Sequence, residues 1–297
     1  MERDGVRAEK LVWIFGTGRS GSTWLASMLG ALVVEVLWAD YGLRFWNEPL
    51  VGQLVGEFYT HVPRRQLNNK HFIFDNSTRE AYLEGIRFLV LNVAKKKFWE
   101  VSEDDYLIIK EPNGTIGAPL LMEALPESRM VFLVRDPRDV AASALDRHRT
   151  GGIAHEKRSM DPRRQEKVMG PSRADIRPGA FLAAQARRYL KNVGAAKEAF
   201  EAHKGFKTIV RYEDLRADTL GTMRRICSEL GIPVDDKDLV RAVEKNSWEN
   251  IPEDEKGSGK DRRKATPGGW QEDLTPKQAK KVREITADLA HQFYPDF

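Results

Sequence analysis

The chain of 297 residues has a single cysteine, Cys227, and therefore no disulfide within the chain. The lack of disulfides is typical of proteins from reducing compartments. Residues 1–4 also lack the apolar stretch of a signal peptide, and no apolar run approaches the roughly 20 residues of a membrane span. These absences predict a soluble, cytoplasmic protein without a membrane span.

The composition gives little support for a metal site or for nucleic-acid binding. No cluster of His, Cys and Asp has the spacing of metal ligands. The net charge of +4 is compatible with an anionic ligand, but it is too small to indicate a nucleic-acid partner. With 41% hydrophobic and 31% charged residues, the chain has the composition of a globular protein with an ample core.

Short apolar runs alternate with longer segments of helical periodicity. The predicted strands are Leu11–Phe15, Tyr106–Ile109, Met130–Val134 and Thr208–Val210. The predicted helices are Thr23–Val36, Glu80–Lys97, Ala118–Leu125, Asp139–Arg147, Phe181–His203, Leu220–Leu230 and Pro276–Phe293. Strands separated by helices predict an α/β fold with a central parallel β-sheet flanked by helices. Ligands of such sheets bind at the carboxyl ends of the strands.

We expect one domain over residues 1–297, with three segments that border the acceptor or close over the site. Residues 148–178 and 247–269 are irregular and rich in Gly and charged side chains. Loops this long in α/β enzymes are often lids or substrate walls, although both could be plain solvated loops. Residues 38–80 form the third segment. Its many aromatic side chains suit an apolar acceptor or, equally well, the core of a helical subdomain.

A glycine-rich turn at residues 16–24 joins the first strand to the first helix. Gly16 and Gly21 have the spacing of a Walker A loop, but the Lys position holds Ser22 and the cation is Arg19. Backbone N–H groups at a helix N-terminus can still cradle an anion. The segment therefore predicts a phosphate-binding loop that is poorly suited to ATP or GTP hydrolysis. The alternative is a glycine-rich turn without a ligand.

Two further segments carry cations after a strand or before a turn. Arg135 follows the third strand, and Ser143 lies eight residues later in a helix that Pro137 begins. This pair could hold a second phosphate, with Arg bidentate, or it could belong to an Arg–Asp network that caps the helix. The third cluster, Arg262-Arg263-Lys264, precedes turn residues and Trp270, and it could bind an anion or be solvated surface.

Taken in order, these segments resemble the sulfotransferase family, whose members transfer a sulfuryl group from 3′-phosphoadenosine 5′-phosphosulfate (PAPS) to an acceptor. Residues 16–24 resemble its 5′-phosphosulfate loop, and Arg135 with Ser143 resembles its 3′-phosphate motif, including the spacing. Residues 210–215 resemble the strand that brings a Tyr to the adenosine. Arg263-Lys264 followed by Trp270 resembles the family's C-terminal Arg-Lys-Gly loop.

The resemblance implies a P-loop-like sulfotransferase fold that binds PAPS and releases 3′-phosphoadenosine 5′-phosphate (PAP). The implied cofactor-binding residues are Gly18, Arg19, Ser20, Gly21, Ser22, Thr23, Trp24, Arg135, Ser143, Tyr212, Arg263, Lys264 and Ala265. Ala265 departs from the family, which usually has Gly at that position. A sulfuryl group carries less negative charge than a phosphoryl group, so we expect no metal requirement.

Sulfuryl transfer is an in-line displacement that needs a cation at the leaving oxygen and a base for the acceptor proton. Arg19 is the first cation, and Lys110 resembles a Lys that assists the transition state in the tyrosylprotein branch. The catalytic His of the cytosolic branch has no counterpart in residues 109–113. Glu48 is the predicted base, because carbohydrate and tyrosylprotein members often carry a Glu-Pro after the first helix, and Glu111 is the second candidate.

The sequence leaves the acceptor open: a hydroxyl or amine of a small molecule, a glycan or a lipid. Family members often form homodimers, but no short motif decides this for the present chain. The sequence is also compatible with two other functions. A P-loop kinase is disfavoured because Ser22 stands where the Walker Lys would be. A non-catalytic protein that binds PAPS or another nucleotide would keep the loops and lack the base.

Overall fold

The structure is a computed structural model that describes residues 6–32, 45–47, 49–55, 77–154, 172–260 and 262–297. Its strands are β1 Leu11–Phe15, β2 Phe45–Asn47, β3 Leu107–Lys110, β4 Arg129–Val134 and β5 Lys207–Arg211. They form one sheet in the order β2-β3-β1-β4-β5, and every neighbouring pair is parallel. The predicted α/β fold with a parallel sheet is confirmed.

Helices connect and cover these strands. They are α1 Ser22–Leu32, α2 Arg79–Lys97, α3 Ala118–Ala124, α4 Pro137–His148, α5 Arg173–Ile176, α6 Pro178–Ala202, α7 Tyr212–Ala217, α8 Thr219–Glu229, α9 Asp236–Lys245, α10 Trp270–Asp273 and α11 Pro276–Ala290. Residues 51–55 are also helical, and short 3₁₀ turns cover Ala8–Lys10, Thr115–Gly117 and Glu253–Glu255.

Both faces of the sheet are buried, which explains why continuous apolar runs mark its strands. Successive side chains of β1 point to opposite faces. Trp13 and Phe15 join a core cluster that includes residues of α2, α3 and α6, whereas Val12 and Ile14 join one formed with α1, α8 and α9. Because helices occupy both faces, a ligand must approach the sheet at an edge of strand ends.

The strand order changes direction at β1, since β3 lies on one side of it and β4 on the other. A crevice therefore opens at the carboxyl ends of these three strands, where α/β sheets bind their ligands. The glycine-rich loop, Lys110 and Arg135 each stand at one of these ends.

The sequence analysis missed strand β2, which is too short to be separated from a loop by its pattern. It pairs in parallel with β3, with Trp46 opposite Ile109 and Asn47 opposite Lys110. The predicted base Glu48 follows β2 in the chain but lies outside the described residues.

Candidate cofactor-binding and active site

The glycine-rich loop has the backbone of an anion cradle. Arg19 has φ = 75° and Gly21 has φ = 92°, so two nearby residues take the left-handed conformation that turns successive N–H groups inward. Ser20 closes the turn, because its N–H and its hydroxyl both donate to the Thr17 carbonyl, at 3.2 and 2.7 Å. The loop is thus fixed by its own hydrogen bonds, and α1 begins at Ser22 with its N-terminus at the loop.

Gly21 is required at its position because Tyr212 packs directly on it. A Cβ atom built on Gly21 would lie 2.6 Å from Cδ2 of the Tyr212 ring. The guanidinium carbon of Arg135 lies 4.0 Å from the centre of the same ring. One stack therefore unites residues from the ends of β1, β4 and β5, all three of which were predicted to bind the cofactor.

The two predicted anion sites adjoin each other. Arg19 donates from Nε to Ser143 Oγ at 2.9 Å, and Arg135 donates from Nη1 to the Arg19 carbonyl at 3.1 Å. Arg135 is 8% exposed, and its Nε is buried with no hydrogen-bond partner among the described residues. A buried cationic donor in this position fits an anionic group of a ligand, which would supply the acceptor that the chain does not.

Lys110 joins the site from β3. Its Nζ donates to Thr23 Oγ1 at 2.9 Å, so the ammonium group lies at the first turn of α1. Only 6% of Lys110 is exposed. The structure thus places Lys110 at Thr23, where the glycine-rich loop enters α1.

Glu111 lies next to Lys110 but is fully buried. Its Oε2 accepts from the Leu50 N–H at 3.1 Å, and its carbonyl accepts from Thr115 Oγ1 at 2.9 Å. Thr115 Oγ1 in turn accepts from the Gly16 N–H at 3.0 Å. Glu111 therefore ties the start of helix 51–55 to the glycine-rich loop, a contact that fits an anchoring group.

Trp24 lies beside the same cluster. Its ring meets that of Tyr212 edge-on, with the ring centres 6.3 Å apart, and its indole N–H donates to the Asn246 carbonyl at 2.8 Å. The Arg216 guanidinium lies over the Trp24 ring, with its central carbon 5.2 Å from the ring centre. Trp24 is thereby held in one orientation at the edge of the predicted adenosine region.

The C-terminal basic loop packs on α4 through its backbone, while its cations face acidic groups. Arg263 forms an ion pair with Asp273, and Lys264 pairs with Glu272 and Asp273 at 2.8 and 3.0 Å. Ala265 has φ = 52°, the left-handed region that favours glycine. Ala therefore occupies a conformation that costs about 1 kcal/mol relative to Gly.

The sequence analysis missed Asp139, which links this loop to the Arg135 segment. The side chain is fully buried and accepts from the N–H groups of Gly268 and Trp270, at 2.8 and 2.9 Å. Burial raises the pKa of the Asp139 carboxyl, and the charge of Arg135 and these two N–H groups oppose that rise. The residue lies four positions after Arg135, but its partners are too distant in sequence to be predicted.

Helix α6 also contributes contacts that the sequence did not reveal. The Tyr189 hydroxyl donates to the Arg135 carbonyl at 3.0 Å, and Arg188 donates to Asn113 Oδ1 at 2.7 Å. Burial also raises the pKa of Tyr189 and of Tyr212, so both phenols stay neutral. Tyr189 thus fixes the backbone at the end of β4 without adding charge.

Over the described ranges, no group of three or more His, Cys, Asp or Glu side chains could hold a metal ion. Among the helices that the structure describes, none is both long and apolar enough to cross a bilayer.

Comparisons with known proteins agree with this geometry. A family model described as "Sulfotransferase family" matches residues 12–236. Mouse sulfotransferase 2A1 is 33% identical over 189 residues, which cover 57% of this chain and 59% of that protein. Human carbohydrate sulfotransferase 2 is 30% identical over 198 residues, which cover 57% of this chain but only 35% of that protein. The chain thus spans about a third of the latter's length.

Solved structures show the same fold at low identity. Mouse sulfotransferase SULT7A1 complexed with PAP has a TM-score of 0.54 and 15% identity, covering 96% of this chain and 86% of that one. Sulfotransferase STF9 from Mycobacterium avium has a TM-score of 0.52 and 11% identity, covering 97% and 78%.

Proposed function

The chain belongs to the sulfotransferase family, and from that premise we propose that it transfers a sulfuryl group from PAPS to a hydroxyl or amine of an acceptor. The observation that carries the proposal is the meeting of Arg19, Lys110 and Arg135 around the glycine-rich loop. PAPS has a phosphosulfate at its 5′ end and a phosphate at its 3′ position. Two adjoining anion sites suit these two groups.

The residues fit this cofactor because they leave a buried cationic donor unused. Arg135 Nε has no hydrogen-bond partner among the described residues, and Ser143 lies at the same place through its bond to Arg19. We propose that Arg135 and Ser143 bind the 3′-phosphate, together with the loop of Arg263, Lys264 and Ala265. Arg263 and Lys264 form ion pairs with α10. On this proposal, cofactor binding either breaks these pairs, which frees the two cations, or leaves them in place, where they hold the loop backbone.

The 5′ group would lie in the glycine-rich loop, with Gly18, Ser20, Gly21, Ser22 and Thr23 supplying N–H and hydroxyl donors. Trp24 and Tyr212 would bind the adenosine, because their rings already contact each other beside Gly21. PAPS supplies the sulfuryl group when it is bound. The chain binds it, orients it and holds cations where negative charge develops.

Arg19 and Lys110 are the proposed catalytic cations. Both border the glycine-rich loop: Arg19 belongs to it and contacts Ser143, and Lys110 contacts Thr23. Lys110 is buried, so its charge acts through a medium of lower dielectric constant than water. Removal of one such donor costs about 10²–10³ in turnover in well-studied enzymes.

Glu48 is the proposed base that accepts the acceptor proton. Glu111 is the second candidate. Its burial and its hydrogen bond from the Leu50 N–H favour a role in anchoring the backbone at Leu50, two residues after Glu48. The matched variants Glu48→Gln and Glu111→Gln separate these roles. We expect Glu48→Gln to keep PAP affinity and lose turnover. We expect the main effect of Glu111→Gln to be a lower free energy of unfolding. Normal turnover of Glu48→Gln would exclude Glu48 as the base.

The acceptor class is a small molecule, a glycan or a lipid. The two curated relatives carry names of a carbohydrate sulfotransferase and a sulfotransferase, and neither name decides among these classes for the present chain. Screening with PAPS and one acceptor of each class, with PAP release as the readout, addresses this directly.

A thermal-shift titration with PAP, AMP and Mg-ATP tests the proposed cofactor. A ligand that binds only the folded state raises the melting temperature. We expect PAP to raise it more than AMP does, and Mg-ATP to have little effect. Stabilisation by Mg-ATP in preference to PAP would contradict the proposal and favour the kinase alternative. PAP binding without turnover for any acceptor would favour a non-catalytic binding protein.

A further inference from the structure

Asp139 links helix α4 to the backbone of the C-terminal loop at residues 268–270. Among the described residues, no other side chain of α4 forms a hydrogen bond with this stretch of backbone. It is the third residue of α4 and has no exposed surface. Its Oδ2 accepts from the Gly268 N–H at 2.8 Å, and its Oδ1 accepts from the Trp270 N–H at 2.9 Å. Both oxygens of one carboxylate therefore hold one turn of the loop.

The same carboxylate faces Arg135. Asp139 Oδ2 lies 3.8 Å from Arg135 Nη2 across one turn of the chain. Arg135 thus contacts Asp139 with one end of its guanidinium and keeps its buried Nε free of hydrogen bonds within the described residues. Asp139 touches both parts of the proposed 3′-phosphate site, namely Arg135 and the loop after Lys264.

The other charged contacts of the loop are more local. Arg263 and Lys264 pair with Glu272 and Asp273, which follow within ten residues of the chain. These pairs stabilise the loop against α10 but do not attach it to α4. Outside the Asp139 carboxylate, the Arg138 guanidinium packs over the Trp270 ring, with 4.3 Å from its central carbon to the ring centre.

We infer that Asp139 is a positioning residue that holds loop 262–270 beside Arg135 and thereby gives the site its preference for nucleotides with a 3′-phosphate. The inference rests on the proposed function and adds to it a residue that touches no ligand. Asparagine at this position has nearly the same shape but only one acceptor oxygen, so its amide N–H₂ would face one of the two backbone donors. One loop contact is then lost, and a buried donor loses its partner.

The test measures dissociation constants of PAP and AMP by calorimetry for the wild type and for Asp139→Asn. AMP lacks the 3′-phosphate, so the ratio of the two constants isolates that group. We expect PAP affinity to fall about ten- to hundredfold, as for loss of one hydrogen bond to a charged group, with AMP affinity unchanged. A general loss of structure would lower the affinity for both ligands and leave the ratio of the two constants unchanged.

Glu213→Gln is the matched control, since Glu213 is also a buried carboxylate that accepts a backbone N–H, from Asp136 at 3.0 Å. We expect it to leave the ratio of PAP to AMP affinity unchanged. An unchanged ratio in Asp139→Asn, with wild-type PAP binding intact, would overturn the inference. Failure of the wild type to bind PAP would instead contradict the proposed function.

Gly268→Ala provides a second route that leaves the buried carboxylate in place, should Asp139→Asn fail to fold. Gly268 has φ = 77°, and a Cβ atom there would meet nothing within 4 Å, so alanine strains the loop backbone without a clash. We expect PAP affinity to fall about three- to tenfold, the equivalent of moderate backbone strain. Gly231→Ala is its control, because Gly231 (φ = 58°) also has a left-handed backbone but contacts Tyr106, which precedes β3 at the other end of the strand. A Cβ atom there would also approach the Phe206 ring to 3.0 Å, so the control is at least as strained as Gly268→Ala. Equal PAP affinity in both alanine variants would also overturn the inference.

Discussion

Replacement of Gly21 by alanine tests whether the glycine-rich loop depends on its contact with Tyr212. Gly21 has φ = 92°, and a Cβ atom would lie 2.6 Å from Cδ2 and 2.7 Å from Cε2 of the ring. The ring cannot retreat freely, because the guanidinium of Arg135 lies 4.0 Å from its centre. The substitution therefore combines backbone strain with overpacking of a buried ring.

The two costs can be placed on a common scale. A left-handed backbone costs a non-glycine residue about 1–2 kcal/mol, and overpacking by one methyl group costs about 1–3 kcal/mol. Alanine lowers the entropy of the unfolded chain, which returns about 0.4–1 kcal/mol. We therefore expect Gly21→Ala to lower the free energy of unfolding by about 1–5 kcal/mol and to weaken PAP binding.

Gly18→Ala is the matched control in the same loop. Its nearest non-neighbouring atom to a built Cβ is Asn113 Oδ1 at 3.7 Å, an ordinary van der Waals distance. We expect it to change the unfolding free energy by less than about 1 kcal/mol. Urea denaturation of both variants, with and without PAP, gives the comparison. If Gly21→Ala proves as stable as Gly18→Ala, the contact between loop and ring does not constrain the site and the reasoning is wrong.

Three further predictions use other parts of the molecule. Lys110→Met should lower turnover about 10²–10³-fold with little change in PAP affinity, measured by steady-state kinetics and calorimetry; an equal loss in both would contradict a role specific to the transition state. Burial raises the pKa of the Glu213 carboxyl, so its contribution to stability is present below the ordinary pKa of about 4.3 and is lost as pH rises through the raised value. Relative to Glu213→Gln, the wild-type free energy of unfolding should therefore decline from about pH 4.3 upward, as measured by urea denaturation at each pH. A difference between the two proteins that does not change with pH would refute this. Burial raises the pKa of the Cys227 thiol to about 11, so a thiol reagent at neutral pH should react with it only after unfolding; rapid reaction of the native protein would show that the thiol is accessible.

Much of the fold follows from short-range patterns in the sequence. The runs of β1, β3 and β4 are apolar at nearly every position because helices bury both faces of the sheet, and their bounds were predicted within about one residue. Strand β2 was missed, since three residues give no period and its stability comes from pairing with β3. The glycine-rich loop was recognisable because its spacing and its strand-to-helix setting are both local features.

The proposed active site could be predicted only in part. Arg19, Lys110, Arg135 and Tyr212 lie at or shortly after the carboxyl ends of strands, so their location at one edge of the sheet follows from a parallel topology. The role of Asp139 was not predicted, because its hydrogen-bond partners Gly268 and Trp270 are more than a hundred residues away in the chain. Glu48, the proposed base, lies outside the described residues and stays a prediction.

The sequence by itself determined the chemical types available, the strands that carry them and the family to which the chain belongs. Tertiary structure decided how each charge is used. Arg263 and Arg138 donate hydrogen bonds to the carboxylates of Asp273 and Asp136, whereas Arg135 lies 3.8 Å from the Asp139 carboxylate and keeps a buried Nε without a hydrogen-bond partner among the described residues. Arg135 and Arg138 are each followed directly by an aspartate in the sequence, whereas Arg263 lies between two basic residues. Their difference arises because ion pairing and desolvation depend on distances and burial that exist only once the strand ends and the C-terminal loop have come together.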